Sequence, residues 1–196
     1  MRAIALLAAA PIALAAAVGC GDEEEFAGSP DPASERNDPP AKPPPGWRTF
    51  ANRRAGFTLS VPPGWAARAR KSATLIRSSD RLLAVTVAAD RSEAGRTTGP
   101  RQYAQRAFRA LPGFENLKPR AARRVARSPY PSERVDGSGT FTDRRQRQGI
   151  TVAAFRRPNR VTYTVVAFSA SVGRAPAHAG ELAQLLASLR ARRPRL

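Results

Sequence analysis

The sequence is poor in the residues that build catalytic and metal sites. Its 196 residues include one cysteine and one histidine, against 33 lysines and arginines. A single cysteine excludes an internal disulfide, and Cys20 with His178 falls short of the three or four ligands of a zinc site. The chain has no Gly-x-Ser-x-Gly element and no glycine-rich phosphate loop. We therefore expect no metal, no cofactor and no enzymatic activity.

Carboxylates are also scarce from Trp47 onward, where only eight remain. The nearest candidate pair for acid–base chemistry is Asp136 and Asp143, seven residues apart. Residues separated by an odd number point to opposite faces of a strand, so this pair does not converge. The sequence therefore gives no support to glycosidase-like chemistry, and an envelope hydrolase is the least favoured of the functions considered.

The single cysteine lies where an apolar N-terminal segment ends. Residues 3–18 form an apolar run of 16 residues, shorter than the about 20 that span a bilayer. Small residues precede Cys20, as in a bacterial lipobox: Ala17, Val18 and Gly19. Ala17 stands where lipoboxes usually have leucine. We expect residues 1–19 to be a lipoprotein signal peptide and Cys20 to carry diacylglycerol; an uncleaved signal anchor is the alternative.

Residues 20–46 have the composition of an extended spacer. This segment contains seven acidic residues and seven prolines, and it offers almost nothing that can be buried. At about 3.1 Å per residue it would reach about 80 Å when fully extended. We expect a disordered tether that holds a single folded domain, residues 47–196, away from the outer face of the cell membrane. A proline-rich peptide ligand is the alternative interpretation.

The formal charge of +18 conceals an uneven distribution. From Trp47 onward the chain has 30 basic and eight acidic residues, a net charge of +22. Such a charge ordinarily suggests nucleic acid, but an exported protein rarely meets it. Arginine supplies 30 of the 33 basic residues, which is typical of a GC-rich genome. We therefore expect no nucleic-acid partner.

Several arginines are clustered and are candidates for contact with anionic surfaces. These candidates are Arg123, Arg124, Arg144, Arg145, Arg147, Arg156 and Arg157. Successive hairpins would place 144–149 at one end of the sheet and 156–160 at the other, giving two basic rims. Arginine binds phosphate bidentately, so anionic lipid headgroups and phosphate-bearing wall polymers are the expected partners. A merely solvated basic face is the alternative.

The apolar periodicity from Trp47 onward predicts a mixed α+β domain. Strands are predicted at Phe57–Val61, from Trp65, at Ala73–Arg77, Leu82–Ala89, Lys118–Ala126, Val135–Thr142, Ile150–Arg156 and Arg160–Ser169, with a hairpin turn at 78–81. The last strand has apolar residues on both faces, so we expect it to be a central strand covered on both sides.

A helix is predicted from Thr98 as N-cap, with Pro100 in the first turn, to an end at Pro112-Gly113. Its apolar stripe is Tyr103, Ala104, Ala107, Phe108 and Leu111. A second helix is predicted from about Pro176, with a buried stripe of Leu182, Leu185, Leu186 and Leu189. We expect His178 to be exposed near the start of the last helix, and Gly137 and Gly139 to mark a bulge.

The segment Gly56–Trp65 reads Gly-Phe-Thr-Leu-Ser-Val-Pro-Pro-Gly-Trp and resembles the opening of PsbP-like domains, including actinobacterial Lpq-type lipoproteins. Tyr103-Ala104 and Ser188-Leu189 match the two helices of that family. The resemblance spans nearly all of 47–196. It implies an α/β/α sandwich with a central antiparallel sheet and helices on both faces. It also implies binding of proteins or small apolar ligands, with no shared catalytic residues.

The resulting hypothesis is a membrane-anchored, non-catalytic binding or interaction domain at the cell envelope, acting as a monomer. Envelope proteins, lipids and anionic wall polymers are its expected partners. The alternative is a carrier of a lipid or another apolar molecule, in a pocket between sheet and helix. Aromatic residues would line that pocket: Phe108, Phe155, Tyr163 and Phe168.

Overall fold

The computed structural model describes residues 42–157, 161–170 and 178–192. The expected signal peptide, Cys20 and most of the tether lie outside the described residues. So do Arg160 and the predicted helix start at Pro176.

Eleven strands and three helices make up the described residues. The strands are β1 (Arg48–Asn52), β2 (Phe57–Val61), β3 (Ala66–Ala69), β4 (Ala73–Arg77), β5 (Leu83–Asp90), β6 (Phe114–Pro119), β7 (Arg123–Arg124), β8 (Ser132–Phe141), β9 (Gln146–Arg156), β10 (Thr162–Ser169) and β11 (Arg190–Ala191). The helices are α1 (Glu93–Thr97), α2 (Pro100–Arg109) and α3 (Ala179–Ala187).

The strands form two antiparallel sheets. The large sheet has the order β3-β4-β5-β10-β9-β8-β6, with β7 also paired to β8. The small sheet has the order β1-β2-β11. Strand β10 lies between β5 and β9, and both of its faces are covered. Tyr163 and Val165 of β10 belong to one hydrophobic core, whereas Val166 belongs to the other. This confirms the prediction of a central strand covered on both sides.

The larger core lies on the face of the large sheet that the small sheet and α3 cover. Its members include Phe57, Leu59, Trp65, Val85, Phe155 and Tyr163. The predicted leucine stripe of the last helix closes it, because Leu182, Leu185, Leu186 and Leu189 are all buried there. Burial of each such side chain contributes about 1.5–3 kcal/mol, so this packing fixes α3 and the small sheet on the large one.

The smaller core lies on the opposite face, beneath α2. Ala104, Phe108 and Leu111 of the predicted helix stripe pack there against strands β8, β9 and β10. Pro100 occupies the first turn of the helix, where its missing N–H costs nothing. Gly113, at φ +75°, turns the chain away after the helix, as the Pro112-Gly113 pair predicts.

The glycines of β8 allow this close packing. A Cβ on Gly137 would lie 2.6 Å from Cζ of Phe108 and 2.4 Å from the carbonyl oxygen of Lys118. The predicted bulge is present, but the extra residue belongs to the neighbouring strand. The register shifts between Glu115 and Lys118 of β6, where Asn116 adopts φ 51°. Gly137 and Gly139 therefore make room for α2 and β6.

Three details of the predicted elements are wrong. The strand predicted at Lys118–Ala126 is two strands, β6 and β7, because the chain passes from one stretch of the β8 edge to another. Gly99 is the N-cap of α2, whereas Thr98 is the C-cap of the short helix α1. Strands β1 and β11 and helix α1 were not predicted, and each of them has five residues or fewer.

Candidate binding surfaces

The arginines before and after β9 lie at opposite ends of this strand, as predicted. Arg144 and Arg145 lie in the turn between β8 and β9, where a short 3-10 helix at Thr142–Arg144 precedes Arg145 at φ 49°. Both side chains are exposed, and so is Arg147 at the start of β9. Arg147 donates a 3.2 Å hydrogen bond to Oγ of Ser138. We call Arg144, Arg145 and Arg147 the basic tip.

At the other end of β9, Arg156 and Arg157 are used within the fold, so these two residues are not available for the predicted contact with anionic surfaces. Arg157 is only 6% exposed. Arg156 donates hydrogen bonds to the carbonyl oxygens of Thr97 at 3.2 Å, of Thr98 at 3.3 Å and of Arg96. A guanidinium in this position satisfies the last carbonyls of α1 and compensates the negative end of its dipole. Arg156 and Arg157 are therefore structural residues in this fold.

Arg123 is engaged by a carboxylate within the sheet. Its Nη2 lies 2.6 Å from Oδ2 of Asp136, and Nε of Arg134 lies 3.2 Å from the same oxygen. The hydroxyl of Thr151 donates a 2.7 Å bond to the other carboxylate oxygen of Asp136. This network neutralises part of the charge of Arg123. Arg124, next to it in β7, is exposed and pairs through its backbone with Glu133.

The four aromatic residues proposed to line a pocket do not come together. Phe108 lies in the smaller core, whereas Phe155 and Tyr163 lie in the larger core on the other face of the sheet. Phe168 is half-buried beside the smaller core, where it stacks on Phe114 with ring centroids 5.0 Å apart. The sheet separates the two groups, because Tyr163 and Phe168, five residues apart on β10, point to opposite faces, and Phe108 comes from α2 on the face of Phe168. A single pocket lined by all four is therefore incorrect.

His178 is not an exposed helix residue, contrary to the prediction. Its side chain is 20% exposed and packs edge-on against Trp65, with ring centroids 5.2 Å apart. Its Nε2 lies 2.8 Å from Oδ2 of Asp80, and its Nδ1 lies 3.3 Å from Oε1 of Glu181. Burial lowers the pKa of His178, but these two carboxylates outweigh burial and raise the pKa above 6.5. The cluster joins α3 to the β4–β5 turn.

A basic cleft that the sequence analysis missed lies between two neighbouring turns. The β1–β2 turn supplies Arg53 and Arg54, and the β3–β4 turn supplies Arg70 and Lys71. Together with Ala51, Asn52 and Ala69, these residues line a cleft of about 550 Å³. The sequence signal was a pair of adjacent cations in each turn. It was not recognised because β1 was not predicted, so nothing indicated that residues 53–54 and 70–71 are neighbours.

Among the residues that the structure describes, no three histidine, cysteine or carboxylate side chains converge to hold a metal ion. His178 bridges its two carboxylates through different ring nitrogens, which separates them instead of bringing them to one point. Within the same described ranges, no helix is long and apolar enough to cross a membrane.

No protein-family model matches the sequence, and no curated protein matches it. Among solved structures, the Ran-binding protein Mog1p of Saccharomyces cerevisiae is similar, with a TM-score of 0.52 and 11% identity. The likeness covers 73% of this chain and 94% of Mog1p. A protein of Bacteroides thetaiotaomicron has a TM-score of 0.50 and 12% identity, over 75% of this chain and 49% of its own length.

The solution structure of cyanobacterial PsbP from Synechocystis is also similar, with a TM-score of 0.46 and 9% identity, over 74% of this chain and 92% of PsbP. Identities this low show the fold alone. Taken with the strand order and the two cores, the likeness to Mog1p confirms the predicted fold class, a mixed α+β protein with a central antiparallel sheet. One helix layer covers each face, and the small sheet shares its face with α3.

Proposed function

We propose that this protein is an exported, lipid-anchored binding protein of the cell envelope, of the actinobacterial Lpq type. Lipid on Cys20 would hold it at the outer face of the membrane. Residues 20–46 would act as its tether, and the folded domain, 47–196, would recognise a partner without catalysis. The lipobox Ala17-Val18-Gly19-Cys20 and the acidic, proline-rich composition that follows it support the anchor and the tether.

The observation that carries the binding function is the exposed positive charge of the folded part. Between described residues, carboxylates pair with Arg101, Arg123 and Arg134, whereas the basic tip and the basic cleft have no carboxylate partner. Exposed arginines of this kind favour acidic partners. We therefore propose envelope proteins, anionic lipids and phosphate-bearing wall polymers as partners, and a monomeric protein.

Recognition at the surface is better supported than transport of an apolar ligand. Phe108 and Phe155 are completely buried, Tyr163 is 2% exposed, and they belong to two separate cores. A carrier needs such side chains to face one shared cavity. Mog1p is described as a Ran-binding protein, so in that protein a fold of this kind serves protein recognition. This supports an interaction role.

The anchor is tested by growing cells that express the full chain, or its Cys20→Ser variant, with radiolabelled palmitate. We expect label in the wild-type chain alone, and we expect protease added to intact spheroplasts to digest it. Equal labelling of the two chains, or complete protection from protease, would contradict the anchored and exported assignment. Native mass spectrometry of the same wild-type chain tests the carrier alternative, since a stoichiometric apolar adduct within the folded part would favour it.

A further inference from the structure

We infer that the basic cleft between the β1–β2 and β3–β4 turns is a binding site for a ligand that carries two or more phosphoryl groups. This inference rests on the proposed binding function and specifies its ligand.

Positive charge is concentrated around the cleft. Arg53 and Arg54 face it from one turn, and Arg70 and Lys71 face it from the other. All four residues are exposed, and no carboxylate lines the cleft. Within the described residues, none of these side chains has a hydrogen bond or an ion pair. Four like charges around one concavity repel one another, so an anion that enters it is attracted by all four.

Hydrogen bonds within the protein hold the two turns in place without any ligand. Asn52 is 2% exposed, and its amide nitrogen donates to the carbonyl oxygens of Arg70 at 3.2 Å and Ala73 at 2.9 Å. Its amide oxygen accepts a 3.0 Å bond from the N–H of Ala55. One buried side chain therefore joins both turns. A ligand that binds there does not have to order the backbone, which favours affinity.

Further hydrogen bonds fix the turn that carries Arg53 and Arg54. Arg91 donates a 2.9 Å bond to the carbonyl oxygen of Ala55. The carbonyl oxygen of Gly56 accepts bonds from the hydroxyl of Tyr163 and the N–H of Arg192, both at 2.7 Å. On the other turn, the N–H of Arg70 donates to the carbonyl oxygen of Ala73 at 2.7 Å. The backbone beneath the cations is thus held by a residue of β10 and by the residues that directly follow β5 and β11.

The residues that line the cleft indicate the class of ligand. The cleft of about 550 Å³ is largely open to solvent, so it offers an anionic group a concave charged surface and does not enclose a ligand. The lining has no aromatic residue, and its apolar members, Ala51 and Ala69, are small. An apolar or ring-stacking ligand therefore finds no partner. Three guanidinium forks match phosphoryl oxygens bidentately, and a lysine adds a fourth positive charge.

The number of phosphoryl groups follows from the balance of charge. The cleft has four cations, and a single phosphoryl group carries at most two negative charges, so it leaves about half of the positive charge unneutralised. A ligand with two or more linked phosphoryl groups, or a surface of neighbouring phosphodiesters, supplies the further negative charge. A soluble phosphorylated compound or polymer and a lipid headgroup layer share this chemistry.

The test uses the full chain in non-ionic detergent and sodium tripolyphosphate as the probe, by calorimetric titration at about 0.15 M salt. The Arg53→Ala/Arg70→Ala variant removes one cation from each turn. The matched control is Arg106→Ala/Arg109→Ala, which removes two exposed arginines of α2. We expect saturable binding that weakens at least tenfold in the cleft variant and less than twofold in the control. Circular dichroism and thermal unfolding check that both variants are folded.

Equal weakening of the two variants would overturn the inference, because binding would then follow net charge. The absence of saturable binding by the wild-type chain would overturn it as well. Phosphatidylglycerol added to the detergent micelles distinguishes the two sources. Tripolyphosphate binding by the wild-type chain that weakens as phosphatidylglycerol is added assigns the site to lipid headgroups, whereas unchanged binding assigns it to soluble or polymeric phosphate. Palmitate labelling of Cys20 tests the anchor separately, so either assignment can fail without the other.

Discussion

The hydroxyl of Tyr103 donates a 2.6 Å hydrogen bond to Oδ2 of Asp90. Tyr103 lies in the first turns of α2 and Asp90 ends β5, so this bond ties the helix to the sheet. Burial, and then the bond to Asp90, raise the pKa of Tyr103 to about 12. Burial alone raises the pKa of Asp90, but the bonds from Tyr103 and Ser92 outweigh it and hold this pKa below 3.8.

Replacing the tyrosine by phenylalanine therefore has two measurable effects. We expect Tyr103→Phe to raise the pKa of Asp90 and to lower the free energy of unfolding by about 1–3 kcal/mol, because a partly buried carboxylate loses a donor. Carboxyl carbon NMR titration measures the pKa, and urea unfolding measures the stability. The control is Tyr163→Phe, which loses a 2.7 Å bond to the carbonyl of Gly56. It should lower stability without changing the pKa of Asp90.

The same pair predicts how stability depends on pH in the alkaline range. The pKa of Tyr103 is about 12 in the folded protein against 10 unperturbed. Its contribution to stability is complete below pH 10 and is lost as the pH rises towards 12, since only the unfolded chain releases the proton there. Urea midpoints between pH 9 and pH 12, about the range of that loss, measure it. A decline of equal size in Tyr103→Phe and in the wild-type chain would contradict this origin.

Much of the fold could be predicted from the sequence because its signals are local. The alternation of apolar and polar residues identified β2. The bounds of β4 were predicted as observed, because a turn at 78–81 follows that strand. The apolar stripes of α2 and α3 were identified by their spacing. Strand β1 was missed because its register is set by its pairing with β2. Arg190–Ala191 is likewise a strand only through two residue pairs with β2.

The cluster around His178 gives a prediction that the single histidine of the chain makes easy to read. We expect Asp80→Asn to lower the pKa of His178, because the imidazolium loses one of the two carboxylates that raise this pKa. Proton NMR of the imidazole ring measures this pKa, and the signal needs no assignment because the chain has one histidine. Glu181→Gln is the control, and its effect should be smaller because its oxygen lies at 3.3 Å from the ring and that of Asp80 at 2.8 Å. Equal effects, or none, would contradict the assignment.

This cluster also stabilises the fold in a defined pH window. The Ser78 hydroxyl, the Leu82 N–H and His178 lower the pKa of Asp80 to about 2 from 3.8. The contribution of Asp80 is present above pH 3.8 and is lost as the pH falls towards 2. That of His178 is present below pH 6.5 and is lost as the pH rises through its raised pKa. Thermal unfolding should therefore show the difference between wild type and Asp80→Asn to be largest between these limits.

Glycine at position 137 is required by the packing of α2. We expect Gly137→Ala to lower the free energy of unfolding by about 1–3 kcal/mol, because its Cβ would lie 2.4 Å from the carbonyl oxygen of Lys118. Gly180→Ala is the control: apart from the helix's own backbone and the adjacent residues, no described atom lies within 4 Å of its Cβ, and alanine is the better helix former. Guanidinium unfolding compares the two variants. A loss of stability in Gly180→Ala as large as in Gly137→Ala would refute the steric explanation.

The binding surfaces were harder to predict than the fold, and the reason is physical. Clusters of arginine in the sequence show where charge is concentrated, but not whether a guanidinium is used internally. Arg123 is held by Asp136 and Arg156 by the end of α1, and both partners come from other elements of the chain. The basic cleft depends on Asn52, whose amide nitrogen donates to residues 18 to 22 positions further along the chain. Only tertiary structure distinguishes such cases.

The structural role of Arg156 leads to the last prediction. Its guanidinium bonds the carbonyls of Arg96, Thr97 and Thr98, which have no partner within α1. We expect Arg156→Ala to lower the free energy of unfolding by about 1–2 kcal/mol and to speed amide hydrogen exchange in α1. Arg144→Ala, in the exposed turn before β9, is the matched control and should change stability by less than about 0.5 kcal/mol. Unchanged stability and exchange in Arg156→Ala, together with weaker anion binding, would contradict this role. Loss of a helix cap lowers stability and speeds exchange, whereas loss of a surface contact weakens anion binding alone.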